Sequence, residues 1–243
     1  MANWSDPRMT AVPRAATGAR EAAFDAGLRS YMLSVYNYMA SGVLLTGIVA
    51  MLFANSAAAP ALLSNGMFRL LLMIAPLGVV MWMSFGINRI SEGTAKALFW
   101  VYAVLMGLSL SSILLVFTGA SVAQAFFATA ASFAALSLFG YTTKKSLSGL
   151  GTFLIMGVFG LLVAMLINMF VQSSAMSLLI SAVGVLLFAG LTAYDTQRIK
   201  SGYFAVRGTA YAGKSAVMGA LTLYLDFINL FLFLLRFMGN QRN

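Results

Sequence analysis

Seven long apolar runs separated by short polar connectors dominate the chain, at residues 32–54, 68–88, 97–117, 122–141, 150–171, 176–196 and 215–237. Each is long enough to cross a hydrocarbon layer about 30 Å thick as a helix. Two connectors are very short, Thr118 to Ser121 and Gln172 to Ala175, so spans three and four, and five and six, are expected to form tight antiparallel hairpins. The first run begins too far in, and continues too long, for a cleaved signal peptide, and it reads as a retained span.

The polar stretches complete the layout. Residues 1–30 read as a cytoplasmic tail, loose around Trp4, Pro7 and Pro13, with a short helical segment near Glu21 to Arg29 that carries Asp25 and Arg29 four apart. Residues 31–238 form the spanning domain and 239–243 a short carboxyl-terminal tail. Basic residues collect in alternate connectors: Arg8, Arg14, Arg20 and Arg29 before span one, Arg89 and Lys96 after span two, Lys144 and Lys145 after span four, and Arg198, Lys200, Arg207 and Lys214 after span six. The connectors at 55–67, 118–121 and 172–175 hold no Lys or Arg. The positive-inside rule then puts the amino terminus in the cytoplasm and the carboxyl terminus outside.

Composition agrees with this layout. The chain has 243 residues, 61% of them hydrophobic and only 9% charged, too few charges to solvate a soluble domain. The net charge of +9 is spread over connectors and lacks the aromatic interleaving of a nucleic-acid groove, so nucleic acid is not expected as a partner. Cysteine and histidine are absent, which removes disulfides, imidazole ligands and the usual Ser/His or Cys/His catalytic pairs. No lysine lies inside a span to carry a retinal Schiff base. Span four is rich in small residues, Ala128, Ala131, Ser132 and Ala135, a pattern expected to let helices approach closely.

Candidate chemistry narrows to the acids. Asp6, Glu21, Asp25 and Glu92 fall in the tail or a loop, whereas Asp226 lies mid-span in span seven and Asp195 near the cytoplasmic end of span six. A carboxylate at the centre of a span costs about 2.5–3.5 kcal/mol on insertion scales, so such residues point to function. Helical spacing places Thr222 and Asn229 on the face of Asp226, and Thr192 on the face of Asp195. If the two faces meet, the carboxylates would share a proton and titrate as a unit, which makes a pH sensor. The alternative is that they only cap or bridge helices. Depth complicates pairing, because Asp226 lies about 18 Å from Lys214 but Asp195 only about 8 Å from Lys200. Pairing therefore needs span six to continue past Lys200 or span seven to begin well into the cytoplasm. Arg89, at the cytoplasmic end of span two, is a candidate counter-ion or an ordinary interfacial anchor.

These residues resemble the Bax inhibitor-1 family, also called the transmembrane Bax inhibitor motif family, in a bacterial member. The likeness is carried by Gly190 to Gln197 in span six, Leu223 to Phe231 in span seven, Gly107 to Ser111, and Gly140 to Thr143. Thr129 to Phe133 is similar to a Thr-Ala-x-x-Phe element, with Ala131 and Ser132 in place of its bulkier aliphatic pair. The resemblance implies an all-α fold of seven transmembrane helices with the last helix central and wrapped by the other six. It further implies a pH-dependent calcium leak controlled by an aspartate pair, which Asp195 and Asp226 match, with Arg89 similar to a latch arginine. Eukaryotic relatives restrain cell death, and bacterial relatives include a modulator of a membrane-bound AAA protease.

The leading expectation is a pH-sensitive calcium leak channel gated by protonation of Asp195 and Asp226, with Arg89 as latch partner and Thr192, Thr222 and Asn229 as polar neighbours. Ca²⁺ is the transported ion and no cofactor is expected. A tight Ca²⁺ cage needs six to eight oxygen ligands, so two acids suit transit better than storage. The alternative is a non-conducting regulator that binds other membrane proteins; lipids are partners under either reading. An intramembrane aspartyl protease would also place an Asp after a Tyr in its sixth helix, as at Tyr194-Asp195. It would need Gly-x-Gly-Asp where this chain has Leu223 to Asp226, and a Pro-Ala-Leu element after the aspartates, whereas Pro60-Ala61-Leu62 precedes them. No enzyme activity is therefore expected. The absence of retention and lipidation signals points to a bacterial inner (plasma) membrane.

Overall fold

A computed structural model of the chain describes the backbone of residues 14–242 and side chains from residue 26. The expectations for Trp4, Pro7, Pro13 and the Asp25–Arg29 pair lie wholly or partly outside the described residues. Eight helices follow in order: α1 (Arg14–Ala54), α2 (Ala59–Ser64), α3 (Gly66–Gly86), α4 (Glu92–Val116), α5 (Gly119–Thr142), α6 (Ser148–Val171), α7 (Ser174–Val206) and α8 (Ala212–Met238). All but α2 contain a stretch long and apolar enough to span a membrane, as the hydropathy pattern predicts.

Two features depart from the sequence reading. The connector 55–67 contains a helix, α2, with Pro60 in its first turn, where a missing N–H costs nothing. Asn65 then starts α3 by accepting hydrogen bonds from the backbone N–H groups of Met67 and Phe68. Helix α1, in turn, runs without interruption through the expected boundary at residue 30.

Both expected hairpins are present, and local chemistry makes them tight. Thr118 caps α5 through Ser121 N–H, and Ser173 caps α7 through Met176 N–H. Between α6 and α7, Gln172 takes the left-handed conformation at φ 52°, steadied by Asn168, whose carbonyl accepts from Ser173 N–H and whose amide donates to Ser177 Oγ.

Helix α8 is the axis of the bundle. In its apolar window 67% of residues are buried, against at most 33% in any other span. It packs chiefly on α1, α4, α5 and α7, while α3 backs α4 and α6 backs α7. The main core gathers Met32, Val35, Phe99, Tyr102, Phe133, Tyr224 and Phe227 around it. Outward faces carry large exposed apolar side chains such as Phe85, Phe153, Phe170 and Leu186, as expected where lipid is the solvent.

The small residues of α5 behave differently from the expectation. Ala131, Ser132 and Ala135 are exposed on the outer face, and Ala128 is only half-buried. Close approach occurs instead at Gly140, where a β-carbon would overlap the backbone carbonyl of Ala193 on α7. The inward face of α5 is set by Ala125, Thr129, Phe133 and Ser137, because burying Phe133 against Phe227 removes more apolar area than burying the alanines.

Candidate functional site at the α7–α8 interface

Helices α7 and α8 form an antiparallel hairpin joined by a short turn in which Gly208 has φ +73°, a left-handed value that glycine adopts without a Cβ clash. From Asp195, α7 continues to Val206, about 16 Å further, and α8 begins at Ala212, about 21 Å before Asp226. Continuation of span six past Lys200 is one of the two ways the sequence left open for the acids to reach similar depth. Both are buried, Asp195 at 7% and Asp226 at 4% exposure, on two helices that pack against each other.

Their surroundings differ. Asp226 lies in a stretch of α8 whose Leu223, Tyr224, Phe227 and Leu230 are also buried, and among the described residues its Oδ2 is the one buried side-chain oxygen or nitrogen with no hydrogen-bond partner. Asp195 has a cation beside it, Arg198 on the same helix, with Nη1 3.7 Å from Oδ1. Arg198 is largely exposed, so the contact is a loose, solvent-screened one. The i,i+3 spacing carried that signal in the sequence.

The other predicted residues are placed as follows. Arg89 is exposed in the turn after α3, beside a hollow of about 380 Å³ edged by Trp82 and Phe85, and it makes no ion pair with Asp195. Lys214 of α8 reaches the same turn and donates to the carbonyls of Ile87 and Ile90 at 3.2 and 3.0 Å. Thr192 is fully buried, with its hydroxyl donating to Phe188 O. Thr222 donates to Met218 O, and the Asn229 amide to Leu225 O. These bonds all go to each residue's own helix and none of them reaches Asp226 Oδ2.

A polar thread that the sequence reading did not single out runs beside Asp195. Tyr36 of α1 and Ser137 of α5 share a hydrogen bond of 2.5 Å, and Ser137 shares one of 3.0 Å with Thr196 of α7. Lower down, Gln197 clasps the α5–α6 connector, donating to Lys145 O and accepting from Leu147 N–H. Lys200 donates to Tyr141 O at 2.6 Å and lies over the Tyr141 ring. Such residues look like ordinary interfacial polar groups in one dimension, and only helix packing pairs them.

Comparison with known proteins meets this geometry. The sequence pattern of the family described as inhibitor of apoptosis-promoting Bax1 matches residues 28–243. Inner membrane protein YbhL of Escherichia coli is 48% identical over 220 residues, covering 89% of this chain and 94% of that one. Uncharacterized protein RP147 of Rickettsia prowazekii is 45% identical over 93% of this chain and 96% of its own. An uncharacterized membrane protein of Streptococcus pyogenes, SpyM3_0260, is 37% identical over 89% and 95%. None of these three carries an enzymatic name. With seven apolar helices arranged around α8 and matches of this extent, the chain is a membrane protein that belongs to the Bax inhibitor-1 family.

Proposed function

We propose that the protein is a pH-sensitive calcium leak channel of the bacterial inner membrane, gated by the proton shared between Asp195 and Asp226. The observation that supports this reading most directly is Asp226 Oδ2, a buried carboxylate oxygen without a partner next to the interface with α7. A fold with no use for that group would lose nothing by replacing it with an apolar side chain. Two buried carboxylates on packed helices cannot both be ionised cheaply in a dry interior, which supports a pair that shares one proton. Gain or loss of that proton changes the charge at the α7–α8 contact and hence how closely the central helix is held. Ca²⁺ is cargo under this reading: it passes the carboxylates down its gradient and is not retained. Arg198 supplies the positive charge beside Asp195, and Arg89 is held in reserve for a state in which the α3–α4 turn moves. The basic connectors support a cytoplasmic amino terminus.

The test is reconstitution in liposomes with an internal calcium dye over a series of pH values. Asp195→Asn and Asp226→Asn are expected to remove the pH dependence of flux. Unchanged flux and an unchanged profile in both variants would overturn the channel reading and leave a non-conducting regulator.

A further inference from the structure

Helices α1 and α5 both lean on α8 and leave a cleft of about 900 Å³ between them, open sideways toward the bilayer. Its lining includes Ala40 of α1 and Ala130 and Ala134 of α5, side chains too short to fill it. Its floor is Phe227 of α8, packed edge-on against Phe126 and Phe133. Along α1 it extends from Leu28 to Leu44, about 24 Å at 1.5 Å per residue. That matches one leaflet with its headgroup, roughly half of a bilayer 40–45 Å thick.

The cleft is chemically lopsided. Nearly all its walls are hydrocarbon, including the exposed Leu33, Leu44 and Leu138. Its charged lining residue is Arg29, at the end shared with Tyr141, and behind the Tyr141 ring stands Lys200. No acid lines it. This basic end lies on the side of the Lys- and Arg-bearing connectors. A long apolar trough with an arginine at one end has the complementarity of an amphiphile with a negative head.

We propose that the α1–α5 cleft is a binding site for one anionic phospholipid of the leaflet facing those connectors, with an acyl chain laid along Ala130 and Ala134 and its phosphate at Arg29. A basic side chain near an anionic headgroup contributes about fivefold in affinity. The proposal is independent of ion conduction, since it concerns retention of lipid and not flux.

Native mass spectrometry of the full chain in detergent, with equal amounts of phosphatidylglycerol and phosphatidylcholine, tests it. The wild type is expected to retain phosphatidylglycerol about fivefold over phosphatidylcholine. Arg29→Gln should bring that ratio near one. Ala134→Trp fills the trough and should abolish retention of both, while Ala135→Trp, on the outward face of the same helix, should leave it intact. Should the tryptophan at 134 lower the yield of folded protein, Ala134→Leu provides the same obstruction in milder form. Equal retention of the two lipids by the wild type, or equal retention by the 134 and 135 variants, overturns the site. A dimer dissociated by Ala134→Trp overturns it in favour of a second copy of the chain as occupant.

Discussion

Gly140 of α5 lies so close to the carbonyl of Ala193 on α7 that no side chain can stand between them. The contact sits two residues from Asp195 and sets the distance between α5 and α7. Gly140→Val should therefore push the helices apart and destabilise the fold by about 1–3 kcal/mol, the usual cost of overpacking. Thermal unfolding in detergent reads this directly, and a melting temperature equal to wild type would show that the approach is not tight.

Asp226 predicts the opposite sign. Because its Oδ2 is buried without a partner, Asp226→Leu should melt no lower than wild type and is expected to gain about 1–3 kcal/mol. A loss of stability of that size would mean that the carboxylate is satisfied in solution by a group or water bound there.

Tyr224 and Thr46 should show unequal effects. Thr46 donates to Ala103 O at 2.8 Å, so the Tyr224 hydroxyl donates to Thr46 Oγ1 at 2.6 Å. Tyr224→Phe removes a donor and should cost about 1 kcal/mol, whereas Thr46→Val strands a buried phenol and should cost up to about 3 kcal/mol. A double-mutant cycle on the two would quantify their coupling; additive losses would contradict the contact.

Lys214 holds the α3–α4 turn to the base of α8 through two carbonyls. Replacing it with Met should leave the bundle folded but speed proteolytic cleavage at residues 87–91, since a local tie is lost without a loss of core. Cleavage at the wild-type rate would argue that the turn is held by α3 and α4 alone.

Topology can be tested cleanly, because the chain has no cysteine. With the amino terminus in the cytoplasm, Ala57→Cys and Ser173→Cys should react with a membrane-impermeant maleimide in spheroplasts, and Ser146→Cys should react only after lysis. The reverse pattern would invert the orientation and, with it, the leaflet of the proposed lipid.

The spans were legible in the sequence because lipid imposes a one-dimensional rule: a segment either keeps about 20 apolar residues in a row or does not cross. The two membrane acids were legible for the same reason, as each breaks that rule at a measurable cost. What the sequence could not supply was relative position. The small residues of span four suggested close packing, yet Ala131, Ser132 and Ala135 face outward while Gly140 makes the approach, since a helix turns toward the neighbour that buries Phe133. The sequence reading offered Arg89 as the counter-ion of Asp195 and passed over Arg198, whose i,i+3 spacing was visible; the fold sets Arg198 beside the acid and Arg89 in an exposed turn. The depth of the two acids was undecided until α7 was seen to run to Val206, bringing the Asp195 face level with a buried face of α8. Hydropathy is a property of residues in order, and it fixes which segments leave water; proximity between segments depends on side-chain shape at every contact of the bundle, and that is decided only in three dimensions.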